Sequence, residues 1–277
     1  MGKLKTFILM LLLVLMFMWV GDLIGGTEGK RMAFWMALGI NFFSYFFSDT
    51  LVLKHYHAQE IGKHANPELY DIVKRLADKA GVKMPKVYIV PEKVPNAFAT
   101  GRNPNHAAVA VTSGLLDALN KNELEGVLAH EMSHIKHYDI LISTIAAVFA
   151  SAIGFVGNFA RYGGRQNNQR KQNGILVVIG AILLPIAATI IRFSISRTRE
   201  YAADAGAAEL TEHPSWLISA LQKLEDYARG NVLKNANNAT AHMFIVSPFS
   251  GATLSALFST HPSTKNRIER LSRMMKE

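Results

Sequence analysis

The stretch Val127-Leu-Ala-His130-Glu131-Met-Ser-His134-Ile-Lys constrains this chain more than any other, because it sets two imidazoles four residues apart with a carboxylate beside the first. On an α-helix that spacing puts His130 and His134 on one face, where together they can grip a metal ion, and Glu131 stands next to any water held there. Leu124, Val127 and Leu128 give such a helix its packing face. The chemistry this arrangement implies is metal-assisted hydrolysis of a peptide bond.

The same chain is unusually apolar: 49% of its 277 residues are hydrophobic, and the excess is concentrated in blocks. Residues 7–20 form a charge-free run behind Lys3 and Lys5, 32–48 a second run rich in Phe and Met, 140–160 a third, and 174–191 a fourth that contains Pro185. Each approaches the roughly 20 residues a helix needs to cross a bilayer core, so four membrane helices are expected. No A-x-A cleavage pattern follows the first block, only Gly21-Asp22-Leu23-Ile24-Gly25-Gly26, so it reads as an uncleaved anchor rather than a signal peptide.

There is no cysteine, which excludes a disulfide framework and a thiolate metal site and leaves His, Asp and Glu as metal donors. The net charge of +9 comes with only 18% charged residues and no aromatic-spaced basic stripe, which argues against nucleic acid. Basic residues flanking apolar segments meet anionic lipid headgroups instead.

The chain divides into two anchors (1–53), a first polar half (54–139), a hydrophobic hairpin (140–191) and a second polar half (192–277). Asn66-Pro67 predicts a helix start, with Leu69, Ile72, Val73 and Leu76 as its buried face. Residues 86–90 and 107–111 predict strands, with 96–100 a further strand candidate. After Ser113 a brief helix leads to Asn122, read as the cap of the helix that carries His130. The second half predicts helices around Glu200, over 214–229 and over 263–275. The fold class is α+β, mainly helical.

A hydrolytic zinc takes three protein ligands and leaves a position for water. The metzincin pattern would need Gly at 137 and His at 140, but His137 and Ile140 stand there. A second solution is a glutamate from another helix, and the candidate segment Ser196-Arg-Thr-Arg-Glu200-Tyr-Ala-Ala-Asp204 offers two carboxylates one helical turn apart. One can bind metal while the other accepts a hydrogen bond from a ligand histidine; Asp204 would then hold His130 in its working tautomer.

Taken together, His130-Glu-Met-Ser-His134, Arg199-Glu-Tyr-Ala-Ala-Asp204, Asn96-Ala97-Phe98-Ala99, Thr260-His261-Pro262 and two N-terminal anchors resemble the HtpX family of membrane-bound zinc metalloproteases from bacteria and archaea. The resemblance runs over essentially the whole chain. It implies a zincin-like, gluzincin-type endopeptidase akin to the CAAX prenyl protease, acting in stress-related quality control of membrane proteins. It further implies one Zn2+ per chain bound by His130, His134 and Glu200, with Glu131 as general base. Protein substrates, membrane proteins among them, and the lipid bilayer are the expected partners; the sequence sets no oligomeric state. His261 or Arg267 is a candidate oxyanion donor by the same comparison, although an Arg on a basic terminal helix is more often solvated or lipid-facing. Asn96, Ala97 and Phe98 are candidate substrate contacts, since an extended peptide pairs readily with a strand edge. His137 reads either as a residue behind a metal ligand or as a surface residue, and Tyr201 as packing. A metal-binding scaffold without hydrolysis is the alternative, but it would leave Glu131 without purpose, and a prenyl-protein protease has more membrane spans than four.

If His130, His134 and Glu200 share one ion, the chain between them crosses the bilayer an even number of times or dips in without crossing. The positive-inside bias puts Lys3, Lys5 and the residues from Lys54 onward in the cytoplasm, giving a multi-pass protein of the cytoplasmic (inner) membrane. Arg161, Arg165, Arg170 and Lys171 in the connector favour a hairpin that stays partly on that side. Straight helical continuation from His134 into the third block would set the metal roughly 10 to 15 Å from the bilayer edge.

Overall fold

The computed structural model describes residues 2–144, 197–230 and 262–275. Helix α1 (Gly2–His55) is two apolar arms joined at Gly25–Gly26, where Gly26 takes φ 57°, a conformation glycine adopts without steric cost. The arms then meet closely: a side chain on Gly21 would collide with Gly29 and Ala33. Asn41 Nδ2 donates to the Met10 carbonyl across the pair at 3.1 Å. Large apolar side chains point outward along both arms, Phe7 at 63% and Trp35 at 70% exposed, a surface that calls for an apolar cover. Among the described residues, Thr6–Leu23 is long and apolar enough to cross a bilayer, and Gly25–Phe47 with Asp49–His55, bent by 74°, makes a second if the two are one span. Four crossings were expected. The third and fourth blocks and the connector at 163–174 fall almost wholly outside the described residues.

Four strands form a mixed sheet, β1 (Gln59–Ile61), β2 (Lys86–Val90), β3 (Ala97–Asn103) and β4 (His106–Thr112), in the order β1-β2-β4-β3. β2 and β4 are parallel and the other pairs antiparallel. β1 was not expected from sequence; three residues are too few to show an alternation. β3 is an edge strand, and its pleat sends Phe98 to one face and Ala97 and Ala99 to the other. Phe98 packs with Val52, Leu53 and Tyr56 at the end of α1, so the second N-terminal arm ends directly on the sheet.

The opposite face of the sheet carries the main core. α2 (Pro67–Ala80) starts where Asn66 Oδ1 accepts from Leu69 N at 3.0 Å, and it buries Leu69, Ile72, Val73, Leu76, Ala77 and Ala80, the stripe its 3.6-residue period requires. α3 (Ser113–Ala118) leads to α4 (Lys121–Lys136), which is buried over most of its length with Val127, Met132 and Ile135 fully enclosed. Each such side chain contributes about 1.5–3 kcal/mol of burial. α5 (Arg197–Thr211) and α6 (Pro214–Gly230) pack on α4, and α7 (Thr264–Met274) closes over them. Two glycines set these crossings. A Cβ on Gly126 would lie 2.7 Å from Leu217 N of α6, and one on Gly206 of α5 would run into Ser133 Oγ of α4.

Asn120, not Asn122, caps α4. Asn120 Oδ1 accepts from Glu123 N at 3.0 Å while Glu123 Oε2 accepts from Asn120 N at 2.9 Å, the reciprocal pair that an Asn-x-x-Glu spacing produces. Glu123 also accepts from Ser219 Oγ at 2.6 Å and Lys223 Nζ at 2.7 Å, tying the start of the metal-site helix to α6. Burial pushes the Glu123 carboxyl up, but Lys223, Ser219 and the Asn120 backbone outweigh it and hold it below its ordinary 4.5. Its stabilisation is therefore present above the unfolded-state pKa and lost as pH falls through the lower folded value. Glu123→Ala should cost about 1–3 kcal/mol at pH 7 and flatten the acid side of the stability curve between pH 5 and the folded pKa. Thermal unfolding across pH tests this, and an unshifted midpoint would contradict the assignment.

Candidate metal centre

α4 and α5 bring three donors to one point. His130 Nε2 and His134 Nε2 are 3.2 Å apart, Glu200 Oε2 is 3.6 Å from His130 Nε2, and Glu200 Oε1 is 3.6 Å from His134 Nε2. A tetrahedral cation with bonds of ~2.0–2.2 Å has edges of ~3.3–3.6 Å between donors, so the spacing fits such an ion without rearrangement. Two nitrogens and a carboxylate form a donor set that suits zinc. His130 is 1% exposed and Glu200 5%, whereas the His134 side chain keeps 15%, which puts the open side of the centre beside His134.

The outer nitrogens are held as firmly. Asp204 Oδ1 stands 3.0 Å from His130 Nδ1, which turns Nε2 toward the shared point. Arg267, 1% exposed, donates to Asp204 from Nε at 2.9 Å and from Nη2 at 2.6 Å. The expectation of a solvated or lipid-facing Arg267 is thereby corrected. The apolar face of α7 turns this residue inward, and two of its nitrogens are committed to Asp204. Burial alone would raise the Asp204 carboxyl, but Arg267, with His130 behind it, holds it well below the usual carboxylate range. Burial would likewise depress His130, yet Asp204 and Glu200 outweigh it and lift the ring to about 9. A ligand imidazole must be neutral at the nitrogen that meets the metal, so metal capture here would be linked to proton release.

His134 has its own support, which the sequence reading missed. Asp139 Oδ2 lies 3.3 Å from His134 Nδ1, and Asp139 Oδ1 accepts from Arg199 Nη1 at 3.2 Å. α4 ends at Lys136 and Tyr138 takes φ 62°, so the helical residues from Asp139 onward set off in a new direction. Straight continuation of α4 into the third block, the basis of the distance to the bilayer edge, is corrected by this turn.

Glu131 sits between the donors and the sheet: its Oε2 accepts from Ala99 N of edge strand β3 at 2.9 Å. Two residues along, Gly101 N faces Thr144 Oγ1 at 3.4 Å, so alternate amides of β3 point out from the edge. Asn96 is 2% exposed with its backbone paired to Thr112, and Ala97 belongs to the core beneath α4. The Phe98 ring packs on the opposite face of the sheet from Ala97 and Ala99, which leaves the backbone of this edge as the candidate substrate contact. His261 lies outside the described residues. His137 is exposed, 3.3 Å from Ser133 Oγ, and Tyr201 lies under the Arg270 guanidinium at 3.8 Å.

Comparison with known proteins finds relatives over nearly the whole chain. The profile of peptidase family M48 matches residues 63–275. The chain is 62% identical to a Protease HtpX homolog of Campylobacter hominis over 98% of both chains. It is 52% identical to a Protease HtpX homolog of Pyrococcus furiosus, over 99% of this chain and 96% of that one. In fold it is similar to the crystal structure of S. mikatae Ste24p, with a TM-score of 0.52 at 19% identity, over 94% of this chain and 61% of that longer one.

The Arg267–Asp204 pair is wholly buried, so removing one partner strands the other charge. Arg267→Met should lower stability by about 3–5 kcal/mol, and adding Asp204→Asn should recover part of that loss. Denaturant titration of the detergent-purified variants checks both; an unchanged midpoint for Arg267→Met would refute the buried pair.

Proposed function

The chain belongs to peptidase family M48 and is a metalloprotease, and on that premise we propose a membrane-integrated, zinc-dependent endopeptidase that hydrolyses misfolded membrane or cytoplasmic proteins in protein quality control. The observation that carries the reading is the triangle of His130 Nε2, His134 Nε2 and a Glu200 oxygen at tetrahedral-edge spacing, with Glu131 beside it. In this reading those three side chains hold one Zn2+.

Held by His130, His134 and Glu200, a zinc ion would supply Lewis acidity and lower the pKa of a nearby water to about 7. Glu131 takes the proton from that water and returns it to the leaving amine. Its Oε2 is anchored by Ala99 N, which leaves the other carboxylate oxygen to move the proton. Asp204, backed by Arg267, keeps the His130 ring turned so that Nε2 and not Nδ1 meets the ion. Substrate lies extended along β3 from Ala97 toward Ala99, bound through backbone groups, which suits many unrelated sequences. His261, which precedes α7 in the sequence, is the candidate donor to the developing oxyanion.

Several features support the membrane reading: the outward-facing apolar arms of α1, the docking of the second arm on the sheet beside β3, and the start of the third block packed on the first arm through Leu141, Ile142 and Leu13. We place the protease domain on the cytoplasmic side, from the positive-inside bias, so that a membrane protein can present a loop without leaving the bilayer.

Detergent-purified protein loaded with zinc should degrade casein and stop on chelation. Glu131→Gln should keep its zinc and lose activity by about 10²–10⁴-fold, the usual range for a general base; retained turnover would contradict that role. Glu200→Ala should lower zinc occupancy, and full occupancy by elemental analysis would remove Glu200 from the ligand set.

A further inference from the structure

Asp139 stands outside the His-Glu-x-x-His pattern and outside the Glu200/Asp204 pair, yet its carboxylate touches both halves of the centre. One oxygen faces His134 Nδ1 at 3.3 Å and the other accepts from Arg199 Nη1 at 3.2 Å. Arg199 immediately precedes Glu200, whose Oε1 is 3.6 Å from His134 Nε2. A closed ring results, running from His134 through Asp139 and Arg199 to Glu200 and back to His134.

The backbone is bent for this purpose. Asp139 is five residues past His134, a spacing that on a continuous helix would carry it off the histidine's face. Instead α4 stops, His137 N donates to Ser133 O at 3.0 Å, and Tyr138 adopts φ 62°. A left-handed conformation is unfavourable for a side chain of this size, and here it returns Asp139 beneath the imidazole. Asp139 is 7% exposed, so solvent offers its carboxylate little competing hydration.

We propose that Asp139 is a positioning residue for the metal, aiming the His134 ring and, through Arg199, fixing how far α5 brings Glu200 toward it. The inference rests on the reading of His130, His134 and Glu200 as ligands. It gives the two histidines separate carboxylate supports, Asp204 for His130 and Asp139 for His134. The two differ in placement: Asp204 is sealed beneath α7, while Asp139 lies where the third apolar block begins and Arg199 where the chain returns after the fourth.

The test is zinc affinity of the full-length, detergent-purified protein, measured by competition with a chromophoric chelator, beside thermal unfolding of the same proteins freed of metal. Asp139→Ala should weaken zinc binding 10–100-fold, the usual effect of losing a carboxylate behind a ligand histidine. Arg199→Gln should weaken it less, Arg199→Lys should restore most of that loss, and the double variant should bind no more weakly than Asp139→Ala alone. A purely structural role would lower the metal-free unfolding temperature and leave affinity in place. Asp139→Asn, which keeps the size and one acceptor, carries the test if Asp139→Ala does not fold. Wild-type protein that binds zinc tightly while the Asp139 variants bind it equally well would overturn the inference, as would additive losses in the double variant. Wild-type protein that binds no zinc would instead remove the metal reading on which it rests.

Discussion

Everything in the protease domain follows from gathering polar groups at the centre of an apolar core without leaving any of them unpaired. Burying an imidazole, four carboxylates and a guanidinium is costly unless each meets an opposite charge or a hydrogen-bond partner in good geometry. The chain meets that condition by stacking layers. His130 and His134 face Glu200, Asp204 and Asp139 stand behind the histidines, and Arg267 and Arg199 stand behind those carboxylates. The outer layer is what makes the inner one possible. Without Arg267, Asp204 would have little reason to stay ionised in the core, and without Asp204 the His130 ring would lose the partner that turns Nε2 inward.

Close approach of backbones is the second requirement, and it explains residues with no chemistry of their own. Gly206 lets α5 come down on Ser133, one residue before His134, and Gly126 lets α6 cross α4 at Leu217. Spacing among the three donors depends on the first of these crossings. The capping network around Glu123 then fixes where α4 begins, so that the histidines fall at the right depth below the edge of β3.

Much of this was legible in the sequence because it is periodic or closely spaced. The stripe from Leu69 to Leu76 marked α2, the four-residue interval marked the two histidines, and the Glu200/Asp204 interval marked a second carboxylate-bearing helix. Other parts were hidden for identifiable reasons. Asp139 reaches His134 only because Tyr138 leaves helical geometry, and no periodic reading allows for that. Arg267 was read either as an oxyanion candidate by resemblance or as a solvated charge from the basic composition of α7, whereas its burial is decided by a tertiary contact with Asp204 63 positions earlier. Asn120 and Asn122 each have a Glu three residues later, so the capping-box spacing alone did not choose between them; the structure pairs Glu123 with Asn120 and gives Glu125 to Arg75. The side of the sheet that Phe98 chooses depends on where α1 ends, which no local pattern reveals.

X-ray absorption at the zinc edge of the purified, full-length protein tests most directly whether the two polar halves share one ion. The account predicts one zinc per chain, with two imidazole nitrogens and a carboxylate oxygen at about 2.0–2.2 Å and one further light ligand. A signal with three or more imidazoles, or a spectrum unchanged when Glu200 is replaced, would contradict it.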